Sequence, residues 1–422
     1  MNILLTLRQP LLPADTGGKV RSLNILSRLA KRASIHAVSF ADPVQDASAI
    51  SEMNHLFDSY TPVFWKEAAK YSVGFYSELL GSQFGSWPYF LSKCNRPDFI
   101  AAVAALQARR RFDLLFCDFL HTAAPLLEFP FKPKVVFEHN VEYLLRKRKC
   151  DVESNPARKW ILRNEWTKTR SIEAMVCRRF DHVLAVSDDD RATMRQDFDV
   201  DHVSVLPTGV DTDYFCPMGT GSQPGRMAFV GSMDWDPNED GIGWFLRDVY
   251  PRIRRAAPKA SLSVVGRNPS SRLRSLAARY PNVELTGRVD DVRTYLAEAE
   301  VVIVPLRVGG GTRIKIPEAM AMAKAVVSTT IGAEGLPFQA GRELSIADTP
   351  EEFAESVVTL LHDRSLRNSI AAAARKVVAE KYGWDAVVDK LEEVLHRVVP
   401  VGMASDRRKH VRTVRGSSQV YA

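Results

Sequence analysis

Short apolar runs alternate with longer stretches of helical spacing from one end of the chain to the other. In NILLTL, DLLFCD, KVVFEH, HVLAVS, RMAFVG, SLSVVG and EVVIVP the hydrophobic positions are nearly continuous rather than alternating. Strands of that kind are buried on both faces, as in a parallel sheet, and the segments between the runs are long enough for crossover helices. The pattern therefore predicts an α/β chain. VLPTGVDTDYFCP closes a first series of strands at about Leu206, and MGTGSQPG leads into RMAFVG, which opens a second. We place a Rossmann-like domain at residues 1–206, a linker at 207–225 and a second Rossmann-like domain at 226–382.

Each half begins with a strand, then glycine, then a helix: NILLTL leads to DTGGKVRSLNILSRLAKR, and RMAFVG to SMDWDPNEDGIGWFLRDV. Ligands of open parallel sheets sit beyond the carboxyl ends of the strands, so two such sheets facing each other would share a cleft. Neither glycine set completes G-x-G-x-x-G, which argues against a dinucleotide dehydrogenase.

Length and composition agree with two domains. The 422 residues, 45% hydrophobic and 25% charged, are ordinary globular protein and too many for one compact core. No apolar run approaches bilayer length, and MNILLTLRQP lacks the basic start and long apolar stretch of a signal peptide, so a soluble, cytoplasmic protein is expected. Cys94, Cys117, Cys150, Cys177 and Cys216 form no C-x-x-C pair, and H-E-x-x-H is absent, which points away from disulfides and structural zinc. The net charge of +7 owes +4 to VGMASDRRKHVRTVRGSSQVYA, leaving +3 for residues 1–400. The body is only mildly basic and no nucleic-acid partner is expected. The last stretch, 401–422, reads as a disordered basic tail able to touch anionic lipid.

The candidate chemistry lies in VPLRVGGGTRIKIPEAMAMAKAVVST, residues 304–329. EVVIVPL is a strand, RVGGGT its exit loop, and Pro317 suits the first turn of a helix. Gly309, Gly310, Gly311 and Thr312 then stand where a helix begins. Free N–H groups, the helix dipole and the charges of Arg313 and Lys315 favour a phosphate or diphosphate there, although a water-facing loop fits the glycines equally well. Glu318, one turn inside, is either an acid favoured near a helix start or a carboxylate that accepts two hydrogen bonds from a ribose diol. A nucleoside diphosphate would use the glycines, the cations and the carboxylate together. Those cations and N–H groups can meet the charge of a diphosphate, and no D-x-D pair stands at a strand end, so no metal is expected.

On these residues the chain resembles the retaining GT-B glycosyltransferases of the family 4 group, whose C-terminal domains carry an E-x7-E element followed by a helix similar to EAMAMAKAVVST. HVLAVSDDDRATM, VLPTGVDTDYF, VELTGRVDDVRTYLAEAEVVIVPL and KYGWDAVVDKLEEVL fall in the expected order, so the resemblance covers most of residues 1–400. GSMDWDPNEDG with GGGTRIK is most similar to sugar transferases associated with exopolysaccharide loci. The resemblance implies a GT-B fold, two domains facing a central cleft, and a helix at 383–400 crossing back onto the first domain. It implies a hexosyltransferase with a UDP- or GDP-linked sugar as donor substrate, no cofactor, and a glycan or lipid-linked acceptor.

By the same resemblance Glu318 holds the nucleotide ribose, Arg313 and Lys315 face the diphosphate, and Arg288 and Val289 line the nucleobase. Gly231, Gly310, Gly311 and Thr312 belong to the donor loops. Gly17, Gly18 and Arg21 in DTGGKVR would meet diphosphate and acceptor across the cleft, and His139 in VVFEHNVE matches a cleft histidine beside the transferred sugar. Read without the family, the two glycines make a tight strand-to-helix turn and His139 is structural. Asp118 and His121 in CDFLHTA are assigned to the acceptor side. The chain departs from the family at Gly310, which stands where the first glutamate of E-x7-E belongs, and SMDWDPNED replaces the usual Arg and Lys after the second domain's first strand.

Two stretches mix apolar with basic or aromatic residues: KYSVGFYSELLGSQFGSWPYF, and PARKWILRNEWTKTRSIEAMVCRRF with Leu162, Trp166, Thr169, Ile172, Val176 and Phe180 at helical spacing. Such a helix packs on a core, or suits peripheral contact with the inner face of the membrane and a lipid-linked acceptor. A nucleotide-sugar epimerase and a catalytically silent GT-B protein that binds sugar nucleotide remain the alternatives, the second supported by the missing glutamate.

Overall fold

The computed structural model describes residues 1–68, 72–219, 221–308 and 314–399, with Val152 by its backbone only. Among these residues thirteen strands form two sheets of seven and six strands, and every strand pairing is parallel. Among the described residues the chain divides into two compact units, one of Met1–Thr208 with residues 387–399, the other running from Gly209 to Ala386.

In the first unit the strands are β1 (Asn2–Leu7), β2 (Ser34–Ala41), β3 (Ser59–Phe64), β4 (Leu114–Asp118), β5 (Lys134–Phe137), β6 (His182–Ala185) and β7 (Val203–Val205), in the order β3-β2-β1-β4-β5-β6-β7. Each continuous apolar run of this half is one of these strands, because helices cover both faces of a parallel sheet and leave no polar side. Leu4, Val38, Leu115, Val136 and Val183 meet Phe99 and Val103 from the helix Pro97–Arg109 and Ile172 and Val176 from the helix Pro156–Arg179. The strand order reverses between β1 and β4, so the crevice beyond their carboxyl ends is where a ligand of such a sheet belongs.

The second unit repeats the plan with β8 (Arg226–Val230), β9 (Ser261–Val265), β10 (Val283–Gly287), β11 (Val301–Val304), β12 (Ala325–Ser328) and β13 (Ser345–Ile346), in the order β10-β9-β8-β11-β12-β13. Its reversal lies between β8 and β11. The segment expected as a linker, 207–225, lies against this unit from Gly209 on: the Val210 N–H donates to the Tyr382 carbonyl at 2.7 Å, and the Arg293 guanidinium stands 3.7 Å from the Tyr214 ring centre.

The helix Trp384–Val398 starts in the second unit and from Val387 groups with the first, where Arg32 donates to Glu392 at 2.7 Å and also to Asp389. Val387, Val388, Leu391, Val394 and Leu395 form its buried stripe. The tail 401–422 lies outside the described residues. Among the described residues no helix is long and apolar enough to cross a membrane.

Candidate functional site

Each unit gathers its chemistry at its own topological reversal. In the second, β8 leads into Gly231, and β11 leads through an exit loop to the helix Lys315–Ala321. The frame there is tight. A Cβ on Gly266, just after β9, would lie 1.9 Å from the Gly231 carbonyl oxygen, and one on Gly231 would lie 2.7 Å from Asn238 Nδ2 and 2.8 Å from Lys315 Nζ. Only glycine lets these strand exits approach so closely. Asn238, on the helix Asp236–Trp244, donates through Nδ2 to the Ser232 carbonyl at 2.7 Å and accepts from Lys315 Nζ at 2.7 Å. The ammonium also stands 4.4 Å from the Phe229 ring centre, so the cation is aimed by an amide and a ring rather than left to wander.

Glu318 follows one turn into the same helix and is half-buried. Burial pushes its carboxyl up to about 7, against the pull of Lys315, which lowers it. Arg288 and Val289 follow β10, three strand spacings from β11, which is roughly 14 Å. Arg288 is exposed and Val289 half-buried. An anion at the Lys315 end, a diol at Glu318 and a flat apolar group toward Val289 fit that edge. Gly310, Gly311, Thr312 and Arg313 lie outside the described residues.

The first unit builds the opposite kind of place. Thr16 caps the helix Gly17–Leu29 by accepting from the Lys19 N–H at 3.4 Å, so Gly17 and Gly18 form its first turn. Phe119, held at φ 72°, lays its ring 3.0 Å from where a Gly18 Cβ would be. Behind that ring, stacked with centres 3.7 Å apart, lies the His139 imidazole, which donates from Nε2 to Asp118 Oδ1 at 2.8 Å. Asp118 Oδ2 accepts from Ser22 Oγ at 2.7 Å. The order Ser–Asp–His keeps the hydroxyl away from the imidazole, so this is no nucleophile-activating triad; it is a scaffold that fixes the histidine ring. His139 Nδ1 has no hydrogen-bond partner among the described residues, and burial lowers the imidazole's pKa despite Asp118.

Arg21 is fully buried 5.5 Å from the Phe137 ring centre, and none of its three guanidinium nitrogens has a hydrogen-bond partner among the described residues. Burial pulls it down to about 9, while Asp118 and Asp190 pull it up. Lys19 is engaged at home, with the Pro13 carbonyl at 3.3 Å and Asp15 at 3.2 Å. Gly18, Ser22, Asp118, Phe119 and His121 line a cavity of about 220 Å³ with Arg8. Thus Gly18, Asp118 and His121 come together as expected neighbours, with His139 and Arg21 behind the cavity wall rather than on it.

Sequence reasoning missed several residues that set this geometry. Asn238 lay unremarked inside SMDWDPNEDG, Ser22 looked like an ordinary helix residue, and nothing in the sequence marks Phe119 for a left-handed conformation. Glu138 stands next to His139, just past the end of β5. There it is fully buried, with neither carboxyl oxygen hydrogen-bonded to the described residues. Burial, with Glu173, Glu142 and Asp118 nearby, pushes it well above the usual carboxylate range. Glu173 accepts the N–H groups of Glu142 at 2.7 Å and Tyr143 at 2.9 Å, clamping the chain just after His139, and burial lifts it to about 8. Among the described residues no group of three His, Cys, Asp or Glu could hold a metal ion.

The comparisons with known proteins fall on both units. Residues 17–214 match the family model described as Glycosyltransferase Family 4, and residues 224–363 match the model described as Glycosyl transferases group 1. An uncharacterized 44.6 kDa protein in the cps region of Klebsiella pneumoniae is 26% identical over 37% of this chain and 42% of its own length. A GDP-mannose-dependent monoacylated alpha-(1-6)-phosphatidylinositol monomannoside mannosyltransferase of Corynebacterium glutamicum is 27% identical over 45% of this chain and 55% of its own. The chain spans about half the length of the curated relatives it matches. Among solved structures, Anabaena HepE in complex with UDP superposes with a TM-score of 0.67 at 14% identity, over 94% of this chain and 100% of that one. The chain carries two glycosyltransferase family domains, and its two parallel-sheet, Rossmann-like units are those of the GT-B fold.

Proposed function

We propose that this protein transfers a sugar, with retention, from a UDP- or GDP-linked donor to a glycan or lipid-linked acceptor in exopolysaccharide or other cell-surface polysaccharide synthesis. The observation that carries the reading is the pairing of an oriented Lys315 with a half-buried Glu318 at the reversal of the second sheet, inside the stretch that matches Glycosyl transferases group 1. Cleaving a nucleotide sugar puts growing charge on the leaving diphosphate while the sugar becomes oxocarbenium-like. Lys315 meets that charge together with Arg313, and Glu318 holds the nucleotide by its ribose. A preorganised donor of this kind is worth about 3 kcal/mol in the transition state. Arg288 and Val289 take the base. In the first unit His139, fixed by Asp118, acts at the transferred sugar, and the unpaired Arg21 supplies a buried positive field beside Gly17 and Gly18.

The relatives support the pathway and the acceptor class: one is named for a cps region, another as acting on a phosphatidylinositol mannoside. A lipid-linked acceptor would place the enzyme at the inner face of the membrane. A catalytically silent, nucleotide-binding protein is the second reading, favoured by Gly310 standing in place of the family's first glutamate. The test is turnover across a panel of UDP- and GDP-sugars with and without acceptor. Nucleoside diphosphate released only with acceptor supports transfer, an altered sugar on intact donor means epimerisation, and binding without either means the silent protein.

A further inference from the structure

The helix Val73–Phe84 buries only Ser82 and Gln83 of its twelve residues. Val73, Tyr76, Leu80 and Phe84 point outward, 87%, 49%, 58% and 90% exposed, and their spacing of three, four and four places them in one stripe. The helix is pinned at its far end to the helix Pro156–Arg179. Asn164 Nδ2 donates to the Gln83 carbonyl at 3.0 Å, and Lys168 Nζ donates to the carbonyls of Ser82 and Gln83 at 2.7 and 2.9 Å. Trp160 stands four residues before Asn164 and eight before Lys168, hence on the same side of its helix, and it is 59% exposed. It adds an exposed aromatic ring to the helix that holds Ser82 and Gln83.

The charge is concentrated beside that stripe. Residues 146–170 hold nine Lys and Arg against three Asp and Glu, a net +6, although residues 1–400 together sum to only +3. These residues belong to the helices Glu142–Val152 and Pro156–Arg179, which pack on one another. An apolar and aromatic stripe beside a basic band is the composition that lies in a headgroup layer.

We propose that this face docks on an anionic lipid bilayer, with Val73, Tyr76, Leu80, Phe84 and Trp160 entering the headgroup region and the exposed Arg158, Lys159 and Arg163 against the lipid phosphates. A second copy of the chain fits poorly, since self-pairing would set +6 against +6. A nucleic acid would leave Val73 and Leu80 without apolar surface to cover them. The inference deepens the reading of a lipid-linked acceptor, but it is tested by vesicle binding without turnover.

The experiment is co-sedimentation of the full chain with vesicles of phosphatidylcholine alone and of phosphatidylcholine mixed with phosphatidylglycerol. Binding to the mixed vesicles only, weakened by high salt, is expected. The Leu80→Ser/Phe84→Ser variant changes two exposed side chains and should lower partitioning about tenfold or more. Lys159→Glu/Arg163→Glu should remove the preference for anionic lipid. No binding by the wild type, or undiminished binding by the Leu80→Ser/Phe84→Ser variant, which would put the anchor in 401–422, overturns the proposal. So does a dimer in light scattering that the same variant breaks, or heparin binding that is lost with it. Transfer to a soluble acceptor, measured on the same samples, separates the two readings: vesicle binding without transfer removes the function and leaves the surface, and transfer without vesicle binding does the reverse.

Discussion

The two units start from one plan, a parallel sheet whose first strand turns through glycine into a helix at the point where strand order reverses, yet they finish it differently. In the second unit the chemical groups are half-buried: burial lifts the Glu318 carboxyl to about 7, and Lys315 is steered by the Asn238 amide beside the Phe229 ring. In the first they are sealed. His139 and Asp118 are 2% and 3% exposed in their side chains, Arg21 is fully buried, and Phe119 closes over the imidazole. On the proposed reading, a nucleotide that comes and goes with every turnover meets half-buried groups, while groups that act on charge developing at a sugar gain from dryness, where fields are stronger and reorganisation is less.

The most severe test of that contrast is His139→Ala. Turnover should fall about a hundredfold, the cost of shifting a cavity wall by about 1 Å when the ring behind Phe119 is lost, while nucleoside diphosphate affinity in calorimetry stays at the wild-type value. Because removing the ring also opens a cavity beside Asp118, His139→Gln is measured alongside, with circular dichroism to confirm the fold; wild-type kcat in either variant would make the first unit's buried chain merely structural. Glu318→Ala should do the converse, weakening nucleoside diphosphate binding by about tenfold to several hundredfold, the loss of one or two charge-assisted hydrogen bonds. Glu318→Asp should recover little, being too short to reach both hydroxyls. Unaltered affinity in Glu318→Ala would take the ribose away from this residue.

Acidity sharpens the same point. A carboxyl at about 7 is protonated below that pH and can no longer accept from two hydroxyls, so wild-type nucleotide affinity should rise with pH through about 7, and the slope should vanish in Glu318→Ala. In the free protein the sign for stability is opposite. Raising this acid from 4.5 in the unfolded chain means that stability present below 4.5 is lost as pH climbs through about 7. Tm that increases over this window in wild type relative to Glu318→Gln would contradict the raised value.

Ser22→Ala is expected to have a smaller effect, a several-fold loss of turnover and none of nucleotide binding, because Asp118 keeps its bond to His139 but loses one of its two anchors. An altered nucleotide affinity would mean that the first unit's scaffold is not separate from nucleotide binding. The smallest effect is a null one: EDTA should leave turnover unchanged, and a loss restored by Mn²⁺ or Mg²⁺ would replace Lys315 and Arg313 with a metal as the partner of the diphosphate.

What could be read from the sequence divides along the same line. Seven of the thirteen described strands announced themselves as continuous apolar runs, whereas β2 and β3 carry polar positions that break the pattern, and Lys315 and Glu318 could be singled out together because they lie within four residues of each other. The first unit's chain was not. Ser22, Asp118 and His139 are separated by 96 and 21 residues and meet through strand pairing, so no local spacing records them. Asp118 and His139 could be named individually but not joined. Glu138 was not legible either: nothing in VVFEHNVE shows that the residue before His139 is fully buried.

The clasp of Gly231 and Gly266 has a consequence for how such a protein diverges. With the Gly231 carbonyl occupying the space of a Gly266 side chain, neither position can drift without forcing two strand exits apart. Of the residues that follow, Ser232 and Met233 are tied into the same frame, the first through its carbonyl to Asn238 and the second by burial, while Asp234 and Trp235 stand exposed. Asp234 and Trp235 can therefore be exchanged while the lysine and its amide stay in register. On the proposed reading, exchanges at those two exposed positions would change which donor is accepted and leave the hold on its nucleotide as it was.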